Sequence, residues 1–195
     1  MKKLSILIAL SIGATAATAM ANSLVSPGPR EKIARSTLAA VPAYEWNKLS
    51  RRGGKFVEIW TIDGDELNKV AFYGGIPVGE PLFREADKKE APLPRVTSNM
   101  LITDIPPLLE SSYRIQLGTS QMTIDSQEPT LVAGRKGIKF TYSFVRRDDE
   151  VQRKGEAVGA VVGNRLYLVT YEAPAIHFFE KDVEKFRQLV TTLKI

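Results

Sequence analysis

The amino-acid sequence predicts an α+β domain, an antiparallel β-sheet covered by helices with a C-terminal helix packed on the sheet. Three observations predict this class. Residues 138–144 alternate apolar and polar side chains, which is the period of a strand with one buried face. Residues 155–162 and 166–171 carry apolar side chains on both faces, as strands in the middle of a covered sheet do. Residues 176–193 repeat apolar side chains at helical spacing, so this helix needs the sheet to cover its apolar stripe.

The N-terminus has the pattern of a signal peptide. Lys2 and Lys3 precede an apolar run over residues 4–17, and residues 19–21 read Ala-Met-Ala, a small-x-small cleavage site. A membrane anchor is the alternative, but it needs about twenty continuous apolar residues, and this run is shorter and interrupted by polar residues. The sequence therefore predicts a cleaved signal peptide over residues 1–21 and a periplasmic or secreted protein, and it leaves the exact cleavage bond open.

Composition narrows the chemistry. The chain has 195 residues, a formal net charge of +5, one histidine and no cysteine. The lack of cysteine excludes disulfides, thiolate nucleophiles, thiolate metal clusters and lipid attachment at the signal junction. An exported protein without disulfides points to a bacterial cell envelope, and export argues against nucleic acid as a partner. We divide the chain into the signal peptide, a linker with a short helix over residues 22–43, and one domain over residues 44–195.

Turn-forming and β-branched residues divide the first half into a spacer over residues 22–29 without regular structure, a short helix over 30–40, a strand over 54–62 and a return strand over 67–73. The Asp-Gly pair at residues 63–64 is the hairpin signal between the two strands. Residues 74–98 hold two adjacent glycines and four prolines around a charged run. We expect a long, partly exposed connection there, with one short strand at residues 81–84, and loops of this length often carry function.

In the second half of the chain, the residues that mark the ends of helices and strands are easier to recognise. Residues 103–104, Thr-Asp, are predicted to cap an amphipathic helix whose apolar side chains recur through residue 113. The charged residues 146–150 form a predicted hairpin tip at the end of the alternating strand. Gly-Asn at residues 163–164 joins the next two strands. The order of elements is thus helix, three antiparallel strands and helix.

The C-terminal third resembles the PsbP-like domains. The resemblance is carried by residues 163–169, Gly-Asn-Arg-Leu-Tyr-Leu-Val, then Phe178-Phe179 and a terminal helix with Phe186 and Val190. This α/β/α sandwich family includes the extrinsic PsbP subunit of photosystem II, a Ran-binding nuclear import factor and bacterial secreted proteins of unknown role. The resemblance implies a non-enzymatic fold that docks to other proteins or stabilises an assembly. It implies no cofactor and transfers no site residues, because the family has no common catalytic motif.

Motifs for catalysis or metal binding are sparse. His177 is the single histidine, so a two-histidine metal site is excluded and any hydrolytic triad must use it. The nucleophile-elbow, Walker A and dinucleotide-binding motifs are absent from the sequence. Asp63 and Asp65 have the alternation of calcium ligands, but the residues that follow do not fit an EF-hand loop. A turn between two strands explains them, and a non-EF cation site that uses both aspartates stays open.

Basic residues form three clusters, at Arg51, Arg52 and Lys55, at Arg135, Lys136 and Lys139, and at Arg146, Arg147, Arg153 and Lys154. Each lies at a predicted strand end or turn, where solvated charge that aids solubility is the simplest explanation. Acidic residues within the third cluster reduce its positive electrostatic field. If the first two clusters converge in space, they form a candidate docking surface for an anionic partner or for the anionic surface of a membrane.

Three functions remain open. The first is a non-enzymatic binding or assembly domain of the cell envelope that docks a protein partner through surface loops, including the connection at residues 74–98. The second is a carrier of a lipid or another apolar small molecule. The third is a hydrolase that uses His177, and it requires a cleft and a nucleophile beside that ring.

Overall fold

The computed structural model describes residues 22–119, 121–147 and 149–195, and the predicted signal peptide lies outside these residues. Eight described strands form one antiparallel sheet in the spatial order β1-β2-β3-β4-β8-β7-β6-β5. The strands are β1 (Ser23–Val25), β2 (Trp46–Lys48), β3 (Val57–Thr61), β4 (Lys69–Pro77), β5 (Gln121–Val132), β6 (Arg135–Val145), β7 (Gln152–Val162) and β8 (Arg165–Pro174). The described helices are α1 (Ile105–Gln116) and α2 (Phe178–Thr191). The prediction of an α+β domain is confirmed.

Each face of the sheet buries its own hydrophobic core. Along β4 the side chains alternate, so that Val70 and Phe72 belong to the core under α2, whereas Ala71 and Tyr73 belong to the core under α1. The predicted packing of the C-terminal helix on the sheet is confirmed, because Phe186 of α2 is fully buried in the first of these cores. We refer to the two sides of the sheet as the α1 face and the α2 face.

The second half of the chain follows the sequence prediction closely. β7 and β8 are apolar on both faces because β8 lies at the centre of the sheet, between β4 and β7. Gly163 and Asn164 join them with φ angles of 57° and 58°. Two successive positive φ angles define a type I′ turn, whose twist matches that of the strands it connects.

The N-terminal predictions for residues 22–40 are wrong. Ser23–Val25 forms β1 and pairs with β2, so the expected spacer contains a strand. The expected helix over residues 30–40 is reduced to a short 3₁₀ turn, Ile33–Arg35. Lys32, Ala34 and Arg35 have positive φ angles between 52° and 58°, which an α-helix does not allow. The Ala34 N–H instead donates to the buried Glu58 carboxylate over 3.2 Å, and this bond fixes the turn on the α2 face.

The long connection between β4 and α1 is partly exposed, as expected, but it is tied to the body of the domain. The predicted strand at residues 81–84 is reduced to one antiparallel bridge between Pro81 and Arg95. Leu82, Leu93 and Val96 on either side of this bridge are buried, while residues 86–92 between them are exposed. The connection therefore presents charge outward on an apolar anchor.

Two further features depart from the sequence prediction. β5, a strand of 12 residues at one edge of the sheet, was not predicted because most of its side chains are exposed. Asp104 is the N-cap residue of α1, as predicted, but its side chain does not cap that helix. The Asp104 carboxylate accepts the Leu101 N–H over 2.8 Å and so caps the 3₁₀ turn that precedes the helix. No helix of the described residues has the length and apolar character needed to cross a membrane.

Candidate functional site: a cationic cleft

A cleft opens on the α1 face beside β3. It consists of two adjoining hollows of about 770 and 580 Å³, which share the lining residues Arg51, Arg52, Phe83 and Arg84. The loop between β2 and β3 forms one wall, and the connection after β4 forms the opposite wall. The C-terminal end of α1 closes the second hollow. We call this surface the cationic cleft.

Glycines allow the two walls of the cleft to meet. A Cβ atom on Gly54 would lie 2.8 Å from the carbonyl oxygen of Leu82, so only glycine fits that contact. At the neighbouring Gly53, the carbonyl accepts the Arg84 N–H over 2.9 Å. A Cβ atom on Gly53 would make only ordinary contacts, the nearest at 3.8 Å. The loop and the connection are thus joined through their backbones, and their side chains are left to form the cleft.

Arg95 holds the connection in shape. Its guanidinium donates to both oxygens of the Glu85 carboxylate over 2.8 Å and to the Gly79 carbonyl over 2.8 Å. Both bonds to Glu85 come from Nη2 of Arg95 and the bond to Gly79 comes from Nη1, and the charge-assisted bonds to the carboxylate are stronger than those between neutral groups. Because residues 79, 85 and 95 are drawn together, the segment that contains Phe83 and Arg84 is a defined wall of the cleft.

Basic side chains outnumber acidic ones around the first hollow. Seven basic residues and two acidic residues line it: Arg35, Arg51, Arg52, Lys55, Arg84, Lys88, Arg95, Glu80 and Glu85. Lys55 pairs with Glu80 over 2.9 Å, and Arg51 pairs with Asp65. Arg52 and Arg84 are exposed, and within the described residues their side chains form no ion pair. The cleft therefore carries excess positive charge at its rim.

The floor of the second hollow is electrically balanced. Lys69 lines this hollow and pairs with the buried Glu172 carboxylate over 2.9 Å. Glu172 also accepts hydrogen bonds from the hydroxyl of Tyr113 and, over 2.8 Å, from that of Tyr142. Tyr73 completes the group on the α1 face. Since the floor has no net charge, the positive field of the cleft comes from its rim.

Burial and charge act in opposite directions on Glu172. Burial by itself raises the pKa of a carboxyl, but the positive charge of Lys69 and the hydroxyls of Tyr113 and Tyr142 outweigh it, and the pKa of Glu172 lies below the usual glutamate value. Burial, reinforced by the charge of Glu172, raises the pKa of Tyr73, Tyr113 and Tyr142 above the usual tyrosine value. The three hydroxyls thus stay protonated, and those of Tyr113 and Tyr142 donate to the ionised Glu172 carboxylate.

Glu66 and Arg146 line the far end of the second hollow, where a compact group of ion pairs forms. The Glu66 carboxylate accepts from Arg146 over 2.5 Å and from the buried Arg153 over 3.3 Å. Arg153 also pairs with Asp149 over 2.9 Å. Slight burial of Asp149 is outweighed by Arg153 and Arg146, which lower the pKa of its carboxyl. Arg146 and Arg153 of the third cluster thus hold the β6–β7 end against the β3–β4 loop, whereas Lys154 lies over the Phe179 ring of α2.

The second cluster of the sequence prediction lies elsewhere. Arg135 and Lys136 are exposed at the β5–β6 hairpin. Lys139 lies on the α2 face, opposite to the cleft, within 3.7 Å of Glu128 and 3.8 Å of Glu156. The structure therefore brings Arg51, Arg52 and Lys55 together with residues of the connection, and does not bring them together with Arg135, Lys136 and Lys139.

His177 stands apart from the cleft. It is exposed at the start of α2, its ring meets the Phe178 ring edge-on at 5.2 Å, and its side chain makes no hydrogen bond within the described residues. Its φ and ψ of 69° and −55° and the hydrogen bond from the Phe178 N–H to the Ile176 carbonyl form a γ-turn. This surrounding gives no support to the hydrolase alternative, which needs a nucleophile within reach.

The two aspartates of the calcium hypothesis are occupied by basic side chains. Asp63 pairs with Lys181 over 2.6 Å, and Asp65 pairs with Arg51. Asn68 further fixes the loop, because its amide group donates to both Asp63 and Asp182. The described residues contain no group of three or more acidic or histidine side chains suited to a metal ion. These contacts favour the turn interpretation.

Comparison with known proteins identifies the architecture. No protein-family model and no curated protein sequence matches the chain. The solution structure of cyanobacterial PsbP (CyanoP) from Synechocystis sp. PCC 6803 is similar at a TM-score of 0.53 with 12% identity, covering 95% of this chain and 97% of that one. The fold is PsbP-like. At this identity the likeness concerns the fold and not the function.

Two other solved structures with a PsbP-like fold are similar to the chain. The Ran-binding protein Mog1p of Saccharomyces cerevisiae has a TM-score of 0.46 and 11% identity, covering 91% of this chain and 96% of its own. LpqN of Mycobacterium tuberculosis, described as involved in cell envelope biogenesis, has a TM-score of 0.34 and 6% identity, covering 92% of this chain and 86% of its own. The resemblance inferred from the C-terminal third is confirmed at the level of fold.

Within this PsbP-like fold, sequence reasoning found one wall of the cleft and missed the other. Arg51, Arg52 and Lys55 form one of the predicted basic clusters, whereas Phe83 and Arg84 are predicted only as part of the long connection and its short strand at residues 81–84. The connection over residues 74–98 carries four basic and four acidic residues, so its net charge gives no signal of the second wall. The approach of Phe83 and Arg84 to the loop before β3 depends on tertiary contacts.

Proposed function

We propose that the protein is an exported, non-enzymatic binding or assembly domain of the bacterial cell envelope, and that it docks an acidic segment of a partner protein in the cationic cleft. The observation that carries the proposal is the excess of exposed basic side chains around a concave surface. The PsbP-like fold is consistent with a binding role. The predicted signal peptide supports the location.

Concavity and charge act together in this site. A cleft lined by one sign of charge concentrates the electrostatic field and raises the rate at which oppositely charged partners arrive. Arg52 and Arg84 line both hollows and are available to a ligand. Because a guanidinium presents several N–H donors in one plane, it binds a carboxylate through two parallel hydrogen bonds. An extended acidic segment that lies along the two hollows would meet both arginines.

The carrier alternative finds less support. Both hollows are open at the surface and are lined largely by charged side chains. The hydrophobic cores on the two faces of the sheet are filled, because the side chains of Phe72, Phe140 and Tyr142 are at most 1% exposed. A lipid carrier needs a concave site that is mainly apolar and covers most of the ligand.

Charge reversal tests the proposal. We compare the wild-type mature protein with Arg52→Glu/Arg84→Glu and with the matched control Arg135→Glu/Lys136→Glu, which makes the same change of net charge at the β5–β6 hairpin. We measure the affinity for a labelled hexaglutamate peptide by fluorescence anisotropy at low salt. The cleft variant should bind the peptide roughly tenfold or more weakly than the wild type, and the control should lose much less affinity. Equal losses would mean that net charge, and not the cleft, attracts the peptide.

The same variants decide between classes of partner. In a crosslinking pull-down from envelope extract, a protein partner should be captured by the wild type and by the hairpin control and lost with the cleft variant. Binding to vesicles of phosphatidylglycerol and phosphatidylethanolamine should be weak and insensitive to Arg52→Glu/Arg84→Glu. Strong, cleft-dependent vesicle binding in the absence of a captured protein would contradict a protein partner.

Export has its own test. When the full chain is expressed in a Gram-negative host, we expect the protein in the periplasmic fraction with a mature N-terminus near residue 22, as read by mass spectrometry of the intact protein. Retention of residues 1–21 in a cytoplasmic product would contradict export while leaving the cleft unaffected.

A further inference from the structure

We infer that Phe83 is the specificity-determining anchor of the cationic cleft, and that the partner segment inserts a large apolar side chain, preferably aromatic, between its acidic residues. The inference rests on the proposed function, since it names the partner chemistry of the same cleft. Phe83 is the one aromatic residue that lines both hollows among the described residues. It therefore lies at the point that any segment spanning the cleft must cross.

The Phe83 ring is held in a fixed orientation from below. It meets the Tyr73 ring edge-on, with centroids 5.8 Å apart, and the Tyr113 ring at 5.5 Å with a tilt of 52°. Tyr73 and Tyr113 are each 1% exposed, and the Tyr113 hydroxyl donates to Glu172. A ring fixed before binding loses little conformational entropy on binding, which is an advantage of a preorganised anchor.

The upper side of the ring is left open by its neighbours. Phe83 remains partly exposed, and Gly53 beside it has no side chain to cover it. A Cβ atom on Gly53 would lie 3.9 Å from Cδ1 of Phe83. Ile59 and Leu117 add apolar surface in the second hollow. The cleft thus has a small apolar patch, formed by Phe83, Ile59 and Leu117, against which a side chain can be buried.

Arginines flank this apolar patch. Arg52 and Arg84 line the same two hollows as Phe83. Binding energy at protein interfaces is concentrated in aromatic and arginine residues near the centre of the contact, where a partner side chain is fully desolvated. A segment of acidic residues alone would satisfy the arginines and leave the ring exposed to water. Carboxylates on both sides of an apolar side chain satisfy both parts of the cleft.

Two labelled peptides test the inference, one of six glutamates with a central phenylalanine and one of six glutamates with a central alanine. By fluorescence anisotropy the phenylalanine peptide should bind wild-type protein about tenfold more tightly, because it buries the larger apolar surface. Phe83→Leu should reduce this preference to about twofold to threefold, because it weakens the binding of the phenylalanine peptide more than that of the alanine peptide. Gly53→Ala, whose methyl group fits beside the ring, should reduce the preference in the same direction.

The outcomes separate this inference from the proposed function. If both peptides bind wild-type protein equally and both lose affinity in Arg52→Glu/Arg84→Glu, the cleft binds acidic segments and the anchor is refuted. If neither peptide responds to that charge reversal, or neither binds, the proposed function fails and the anchor fails with it. Urea unfolding of Phe83→Leu and Gly53→Ala verifies that both variants are folded, and Gly53→Ala keeps the test valid if Phe83→Leu is not.

Discussion

The cationic cleft and the β5–β6 hairpin each carry a cluster of basic residues, yet the surroundings of the two clusters differ. Around the cleft, Arg52 and Arg84 face a concave surface whose floor is balanced by the Lys69–Glu172 pair. At the hairpin, Lys139 lies between Glu128 and the buried Glu156 on the α2 face, and Glu156 is also bound by Arg187 of α2. Clusters of similar composition therefore have different capacities for binding, because shape and pairing determine how much charge a partner meets.

The largest expected effect concerns the support of the cleft. Glu172→Gln removes a buried charge and leaves the Lys69 ammonium without its partner, so we expect the free energy of unfolding to fall by about 3 kcal/mol. The matched change Glu128→Gln at the hairpin removes an exposed partner of Lys139 and should cost less than about 0.5 kcal/mol. Urea unfolding at pH 7 measures both. Similar losses in the two variants would show that the cleft is no better supported than the hairpin.

The pH dependence of the free energy of unfolding compares the same two carboxylates. Because the pKa of Glu172 is lower in the folded protein than in the unfolded chain, its stabilising contribution is present above the usual glutamate pKa and is lost as the pH falls through the folded value. The stability of the wild type should therefore fall more steeply between pH 7 and pH 3 than that of Glu172→Gln. Glu128→Gln should follow the wild-type profile. Parallel profiles for wild type and Glu172→Gln would contradict the assignment.

A smaller effect is expected at the two glycines of the cleft wall. Gly54→Ala forces the new methyl group against the Leu82 carbonyl, 2.8 Å away, and should destabilise the fold by about 2 kcal/mol. Gly53→Ala, whose Cβ meets only ordinary contacts, should change stability by less than about 0.5 kcal/mol. Thermal or urea unfolding of the pair measures the difference. Equal stability of the two variants would mean that the walls are not in close contact.

The smallest effect is expected at the hairpin turn. Ala133 and Gly134 join β5 to β6 with φ angles of 50° and 72°, the geometry of a type I′ turn. Ala133→Asn supplies the Asn-Gly pair that this turn prefers and should raise the free energy of unfolding by about 0.5 kcal/mol. Affinity for the acidic peptides should not change. A change in that affinity would show that the hairpin takes part in docking.

The sequence predicted the fold better than the site, for identifiable physical reasons. β6 and α2 were recognised because their apolar side chains repeat with the period of the element, and β7 and β8 because they carry apolar side chains on both faces. β5 lacks such a face over most of its length, and it contains Pro129 and acidic residues. The expected helix over residues 30–40 failed at left-handed backbone angles that nothing in its composition signals.

Only one of the two walls of the cleft could be predicted, because the walls are distant in sequence. Arg51 and Arg52 stand beside two glycines that indicate a turn, and this local pattern was enough to select them. Arg84 comes into the same site only because Gly53 binds its backbone N–H and Arg95 binds Glu85. No local pattern encodes these contacts, since they appear only when the connection folds back on the sheet.

The sheet edge formed by β5 affects the tendency of the protein to aggregate. β5 ends the sheet, so its outer backbone groups are a template on which a second chain could add a strand. Its register shifts between Ile124 and Ser126, Pro129 removes one donor, and Asp125 and Glu128 place negative charge along the strand. These features disfavour the addition of a strand from a second chain to β5. We therefore expect the protein to form no fibres at high concentration.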